Sequence, residues 1–122
     1  MDYYYRYKKA RLTVDDKRYL YIVRPRDELI KITVYPDNDK RPWFVCMFSY
    51  ESTWGFDVYR PKTIEILIRF YQNNPTIFSK SIFCVQHCKE LFEELFHYFF
   101  ADSTQNERQH FLKICQNHPC DF

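Results

Sequence analysis

Residues 18–50 read RYLYIVRPRDELIKITVYPDNDKRPWFVCMFSY, and the fold turns on how this stretch alternates. Leu20 and Ile22 alternate with Tyr19, Tyr21 and Val23. Both sets are apolar, which marks a central strand. Arg24-Pro25-Arg26-Asp27-Glu28 breaks it. Ile30, Ile32 and Val34 then alternate with Lys31, Thr33 and Tyr35, the pattern of a half-buried strand. Pro36-Asp37-Asn38-Asp39-Lys40 is a dense cluster of turn formers, and a further strand runs from Trp43 to Tyr50.

The same reading extends outward. Tyr3, Tyr5 and Tyr7 alternate with Tyr4, Arg6 and Lys8 toward Val14, and Asp15-Asp16-Lys17 is a turn. Trp54 to Tyr59 makes one more strand. Short spacing between these segments predicts an antiparallel meander of about five strands. Residues 62–73 fit two patterns. Ile64, Ile66, Ile68 and Phe70 alternate like a strand, while Ile64, Leu67, Ile68 and Tyr71 share a helical face. Pro61 at the start and Asn73-Asn74-Pro75 at the end tip the reading to helix.

Beyond residue 83 the period is helical. Cys88, Leu91, Phe92, Leu95, Phe96 and Phe99 recur at three- and four-residue steps, with Lys89, Glu90, Glu93, Glu94 and His97 on the other face. Thr104 and Glu107 spell a capping box for a last helix that carries Phe111, Leu112, Ile114 and Cys115 and ends before Pro119. Strands followed by two or three helices predict one α+β domain over 1–122, its helices packed on one sheet face.

Composition excludes more than it assigns. The chain has 122 residues with 11 Tyr, 12 Phe and 2 Trp, so rings carry much of the core. Gly55 is the only glycine, which rules out a P-loop or a dinucleotide fingerprint. No run approaches a membrane span, and Met1 to Arg6 lacks the apolar segment of a signal peptide. With five cysteines, an odd number, the expectation is a cytoplasmic chain with reduced thiols, no cofactor and no membrane contact.

Four patterns bear on function. Basic and aromatic residues interleave in Tyr3-Tyr4-Tyr5-Arg6-Tyr7-Lys8-Lys9 and recur around Arg24, Arg26, Arg41 and Trp43 and at Tyr59-Arg60-Pro61-Lys62. Rings that stack on unpaired bases beside cations that neutralise phosphates form a single-strand binding surface, for which Tyr3, Tyr5, Arg6, Lys8, Lys9, Arg41 and Trp43 are the candidates. The plainer reading is rings in the core and cations guarding strand edges. Cys84 with Cys88, and Cys115 with Cys120 or His118, could supply two zinc ligand pairs, but no CxxC with glycine turns is present. A Cys nucleophile with a His base has its residue types here, yet no strained nucleophile turn, and no catalytic role is assigned.

The fourth pattern is charge segregation. Through residue 80 the chain carries 15 Lys and Arg against 10 Asp and Glu; from residue 81 it carries 3 against 6. An acidic patch on a small rigid domain can fill the cationic groove of another protein. With no catalytic motif, the expectation from sequence is a small non-catalytic protein-binding domain. It would be a neutralising partner, such as an immunity protein against a toxin or a virus-encoded binder of a host factor, contacting its target through Tyr50, Trp54, Tyr59, Glu90, Glu93 and Glu94.

Overall fold

The computed structural model describes residues 7–26, 29–49, 57–74, 81–101 and 104–116, and for residues 86, 111, 112 and 114–116 the backbone alone. Four strands, β1 (Lys8–Val14), β2 (Lys17–Arg26), β3 (Leu29–Pro36) and β4 (Phe44–Ser49), precede helix α1 (Pro61–Asn73). A short strand β5 (Ile82–Cys84), a 3₁₀ turn (Val85–His87) and helices α2 (Lys89–Phe99) and α3 (Gln105–Gln116) follow. The sheet order is β1-β2-β3-β4-β5, antiparallel through β4, with β5 parallel to β4. This is the α+β arrangement the sequence predicts.

The turns explain how a chain this poor in glycine forms hairpins. Val14 pairs with Lys17, so Asp15 and Asp16 alone make the β1–β2 turn. Both take positive φ, 51° and 67°. A two-residue turn that matches the strand twist requires this, and Asp tolerates it better than most residues. Asn38 does the same in the β3–β4 turn, at φ 65°. There the Asp37 N–H donates to the Arg18 carbonyl (3.0 Å) and the Trp43 N–H to the Val34 carbonyl (2.7 Å).

Two segments differ from the sequence reading. Strand β2 continues through Pro25 to Arg26 instead of breaking at Arg24. Pairing with β1 stops at Val23, so Pro25 lies where β2 has no described neighbour on that side and its missing N–H costs no ladder bond. The expected strand from Trp54 to Tyr59 is, over its described part, a turn around Val58 and Tyr59. The fifth strand comes instead from residues 82–84, after α1. A parallel pair needs a long crossover, and α1 lies within the one linking β4 to β5.

Register places Tyr19, Tyr21 and Val23 of β2, Ile30, Ile32 and Val34 of β3, and Phe44, Cys46 and Phe48 of β4 on one face. All are buried, in one cluster with Ile64, Leu67 and Ile68 of α1 and Leu91, Phe92, Leu95 and Phe96 of α2. The ambiguity over 62–73 thus resolves as a helix. Pro61 opens it, Thr63 Oγ1 donates to the Asp57 carbonyl (2.6 Å), and Asn74 Nδ2 donates to the Phe70 carbonyl at its end (3.0 Å). Tyr71 stacks on Phe44 with centroids 4.5 Å apart. Tyr21, Phe44, Phe48 and Phe92 are fully buried, each contributing about 1.5–3 kcal/mol by leaving water. The capping box is half formed: the Glu107 N–H donates to Thr104 Oγ1 (3.2 Å).

Candidate functional site

The face opposite the core is set by the same register. It carries Lys9, Arg11 and Thr13 from β1, Arg18, Leu20, Ile22, Arg24 and Arg26 from β2, and Leu29, Lys31, Thr33 and Tyr35 from β3. Six of these are cations, and no carboxylate lies on this part of the face among the described residues. Five of the six are exposed; Lys31 is half-buried, as are Leu20, Ile22 and Tyr35 between the charges. The surface is about 10 Å across its three strands and about 26 Å from Arg18 to Arg26. Toward β4 and β5 the same side is closed, since Thr33, Val45, Ser49 and Cys84 are buried.

Two contacts refine this surface. The Arg24 guanidinium lies over the Tyr7 ring, 5.4 Å from its centroid, and Tyr7 is exposed. Such stacking holds the guanidinium flat while leaving its N–H groups outward. Arg24 also stands directly opposite Lys31 across the β2–β3 pair. Like charges directly opposite on a sheet destabilise it, so the fold keeps this pair at a cost.

At the end of the sheet, the two turns enclose a cleft of about 460 Å³ lined by Lys17, Arg18, Tyr19, Pro36, Asp37 and Trp43. Trp43 stacks on Tyr19 (5.5 Å, 15°) and meets Tyr71 edge-on (5.2 Å, 85°). Burial, and secondarily the Asp15 carboxylate, pushes the Tyr19 phenol up. On the far side of the core, α2 exposes Glu90, Glu93 and Glu94 together with Tyr98. The sheet face is therefore cationic, while α2 presents a local acidic patch on the other side of the core.

Of the nucleic-acid candidates, Lys9 lies on the cationic face, Arg41 is exposed in the β3–β4 turn, and Trp43 lines the cleft. Lys8 points to the other face, where its Nζ donates to the Tyr59 carbonyl (2.6 Å) and sits over the Tyr21 ring. Tyr3, Tyr5 and Arg6 lie outside the described residues, as do Tyr50 and Trp54 of the protein-binding set. Tyr59 is half-buried. Arg11, Arg18, Arg24, Arg26 and Lys31 were not among the candidates. Their signal was parity: with Asp15-Asp16 fixed as a two-residue turn, odd positions in β1 and even positions in β2 fall on one face.

The cysteines divide. Cys84 is disulfide-bonded and buried, against the expectation of reduced thiols, whereas Cys46 and Cys88 carry free thiols. A disulfide sulfur offers no thiolate, so Cys84 and Cys88 do not form a ligand pair in this state. Burial pushes the Cys46 thiol far up and, as the largest cause, that of Cys88 as well. Both are therefore protonated near neutral pH and weak nucleophiles. Among the described residues no three His, Cys, Asp or Glu side chains are grouped to hold a metal, and no helix is long and apolar enough to cross a membrane. Cys115, His118 and Cys120 fall outside the described side chains.

Comparison with protein families, curated proteins and solved structures finds no match to this chain.

Proposed function

We propose that this chain is a single-stranded nucleic-acid-binding domain that uses the open face of β1 and β2, bordered by half-buried Lys31 and Tyr35 of β3. One observation carries the reading: six cations share that face with no carboxylate among them in the described residues, and two of the six, Arg24 and Lys31, face each other. A surface built for solubility mixes signs, whereas one that meets a line of phosphates does not. Half-buried Leu20, Ile22 and Tyr35 between the cations, with exposed Tyr7 at the edge, supply the apolar and aromatic contact that unpaired bases use. The reading sets binding, without catalysis, as the role and the cytoplasm as the location.

The test is binding of a fluorescent oligonucleotide at several salt concentrations. Four to six phosphate contacts give a log–log slope of about −3 to −4 for a single strand. Absence of binding at low salt, or a slope near zero, defeats the proposal.

A second reading keeps a protein partner, as a toxin-neutralising immunity protein or a binder of a host factor. Exposed Glu90, Glu93 and Glu94 on α2 favour it, because a carboxylate patch suits a cationic groove. It predicts a stoichiometric partner that survives nuclease treatment of a lysate and is lost on Glu93→Lys.

A further inference from the structure

We propose that the cleft between the β1–β2 and β3–β4 turns receives one unpaired base of the bound strand and selects bases that carry an exocyclic amine. The proposal rests on the nucleic-acid reading above and adds a position and a preference to it.

Four features support it. First, a volume of about 460 Å³ lies in the range of small-ligand sites and suits one nucleotide. Second, its walls are flat and fixed. The Trp43 ring is stacked on Tyr19 and braced edge-on by Tyr71, its backbone N–H is held by the Val34 carbonyl (2.7 Å), and Pro36 also lines the cleft. A half-buried Trp held this way loses little freedom when a base packs against it.

Third, the cleft borders the cationic face at Arg18. Arg18 belongs to both: it stands on the open side of β2, opposite Thr13, and lines the cleft beside Lys17. Tyr19 and Pro36 stand on the core side, so a strand lying along β2 turns round the end of the sheet at Arg18 and Lys17 to reach the cleft. Fourth, the cleft contains one carboxylate, Asp37, set among those cations. The Asp37 N–H donates to the Arg18 carbonyl (3.0 Å), which ties the two turns together and fixes where Asp37 stands. A carboxylate accepts from N–H groups: the N4 amine of cytosine, the N6 amine of adenine, the N1–H and N2 amine of guanine. Thymine and uracil flank their single N–H with two carbonyl oxygens, which a carboxylate repels.

The experiment uses the full chain carrying Trp54→Phe, which leaves Trp43 as its only tryptophan. Oligo(dC) and oligo(dT) of equal length are titrated while tryptophan emission and the anisotropy of a label on the oligonucleotide are followed. Oligo(dC) is expected to quench Trp43 and to bind about fivefold more tightly than oligo(dT), the low end of what a good base contact discriminates. Asp37→Asn, which removes the charge that favours amines and repels carbonyls, then brings the two affinities together by weakening oligo(dC) and strengthening oligo(dT), with the melting temperature unchanged. A lesion of the turn would weaken both oligonucleotides alike and overturn the proposal. Salt-dependent binding without quenching, or with equal affinity for both, refutes the cleft and leaves the sheet-face reading standing. Failure to bind either oligonucleotide refutes both.

Discussion

Replacing Lys31 by Glu should make the protein more stable and a weaker nucleic-acid binder. Lys31 lies between Arg24 on β2 and Met47 on β4, directly opposite each. At present two cations face each other. The substitution puts a carboxylate opposite the Arg24 guanidinium, which the Tyr7 ring already holds in place. Cross-strand charge pairs are worth about 0.2–1 kcal/mol, so exchanging a repulsive pair for an attractive one should gain on the order of 1 kcal/mol. For 122 residues, 1 kcal/mol moves the melting temperature by roughly 4 °C. The gain should shrink as salt screens the pair. Binding should move the other way. Loss of the Lys31 contact lowers the log–log salt slope by about 0.7, and neutralisation of Arg24 by the new carboxylate brings the loss to about 1.4. Thermal melts at low and high salt, paired with anisotropy titrations across the same range, read both effects. A lower or unchanged melting temperature would show that Arg24 and Lys31 do not repel. An unchanged slope would show that this face does not meet phosphates. Either result breaks the argument that the pair is retained for binding.

Three further outcomes follow from the core, the ion pairs and the cysteines. Leu67→Ala, at a fully buried position of α1, should cost about 2–5 kcal/mol in urea unfolding and leave oligonucleotide affinity intact while the protein is folded. Glu65 accepts from Arg69 Nε at 2.9 Å and from Lys62 Nζ at 3.3 Å, and the Arg69 hydrogen bond is the largest influence holding its carboxyl below the usual range. Its contribution is therefore complete above the unfolded carboxylate value and fades as pH falls through the lower folded one. Glu65→Gln should lower the melting temperature near neutral pH and not in strong acid. Reduction of the Cys84 disulfide should lower stability by about 2–4 kcal/mol, the usual range, and Cys84→Ser should melt lower and lose its response to reductant.

Legibility in the sequence followed the physics of each element. Strands β1 to β4 and helix α2 were readable because their periods are carried by large apolar residues that the core needs. Residues 62–73 fitted two periods, and the ends decided: Pro61 and Asn74 sit where a helix starts and stops. β5 was hidden because a three-residue strand has no period. Its existence depends on the α1 crossover bringing Ile82 beside Val45. Trp54 to Tyr59 has the aromatic content of a strand, but its described part turns, and Val58 is buried from that turn. The cationic face was present in the sequence only as parity. Interleaved Tyr, Lys and Arg drew attention to the N-terminus and the strand ends, but a site spread over three strands is visible only once the Asp15-Asp16 turn fixes which residues stand opposite which.

Edge protection is the other explanation for cations on a sheet, and it accounts for part of this surface. Lys9 and Arg11 lie on β1, an edge strand, where charge deters pairing with another chain. The explanation extends to Arg24 and Arg26, which stand where β2 has no described neighbour on the β1 side, but it does not reach Lys31 and Arg18. Lys31 stands on β3, paired on both sides, where there is no edge to protect. Arg18 stands on β2 opposite Thr13, and its carbonyl is already taken by the Asp37 N–H. Solubility does not require a single sign either, since a carboxylate at position 31 would solvate the face equally well and relieve the repulsion with Arg24. What remains is a surface whose members agree in sign even where disagreement would stabilise the sheet. Such a departure from local preference marks a functional surface. A chain of phosphates is the partner that makes uniform positive charge an advantage on interior strands as well as on the edge.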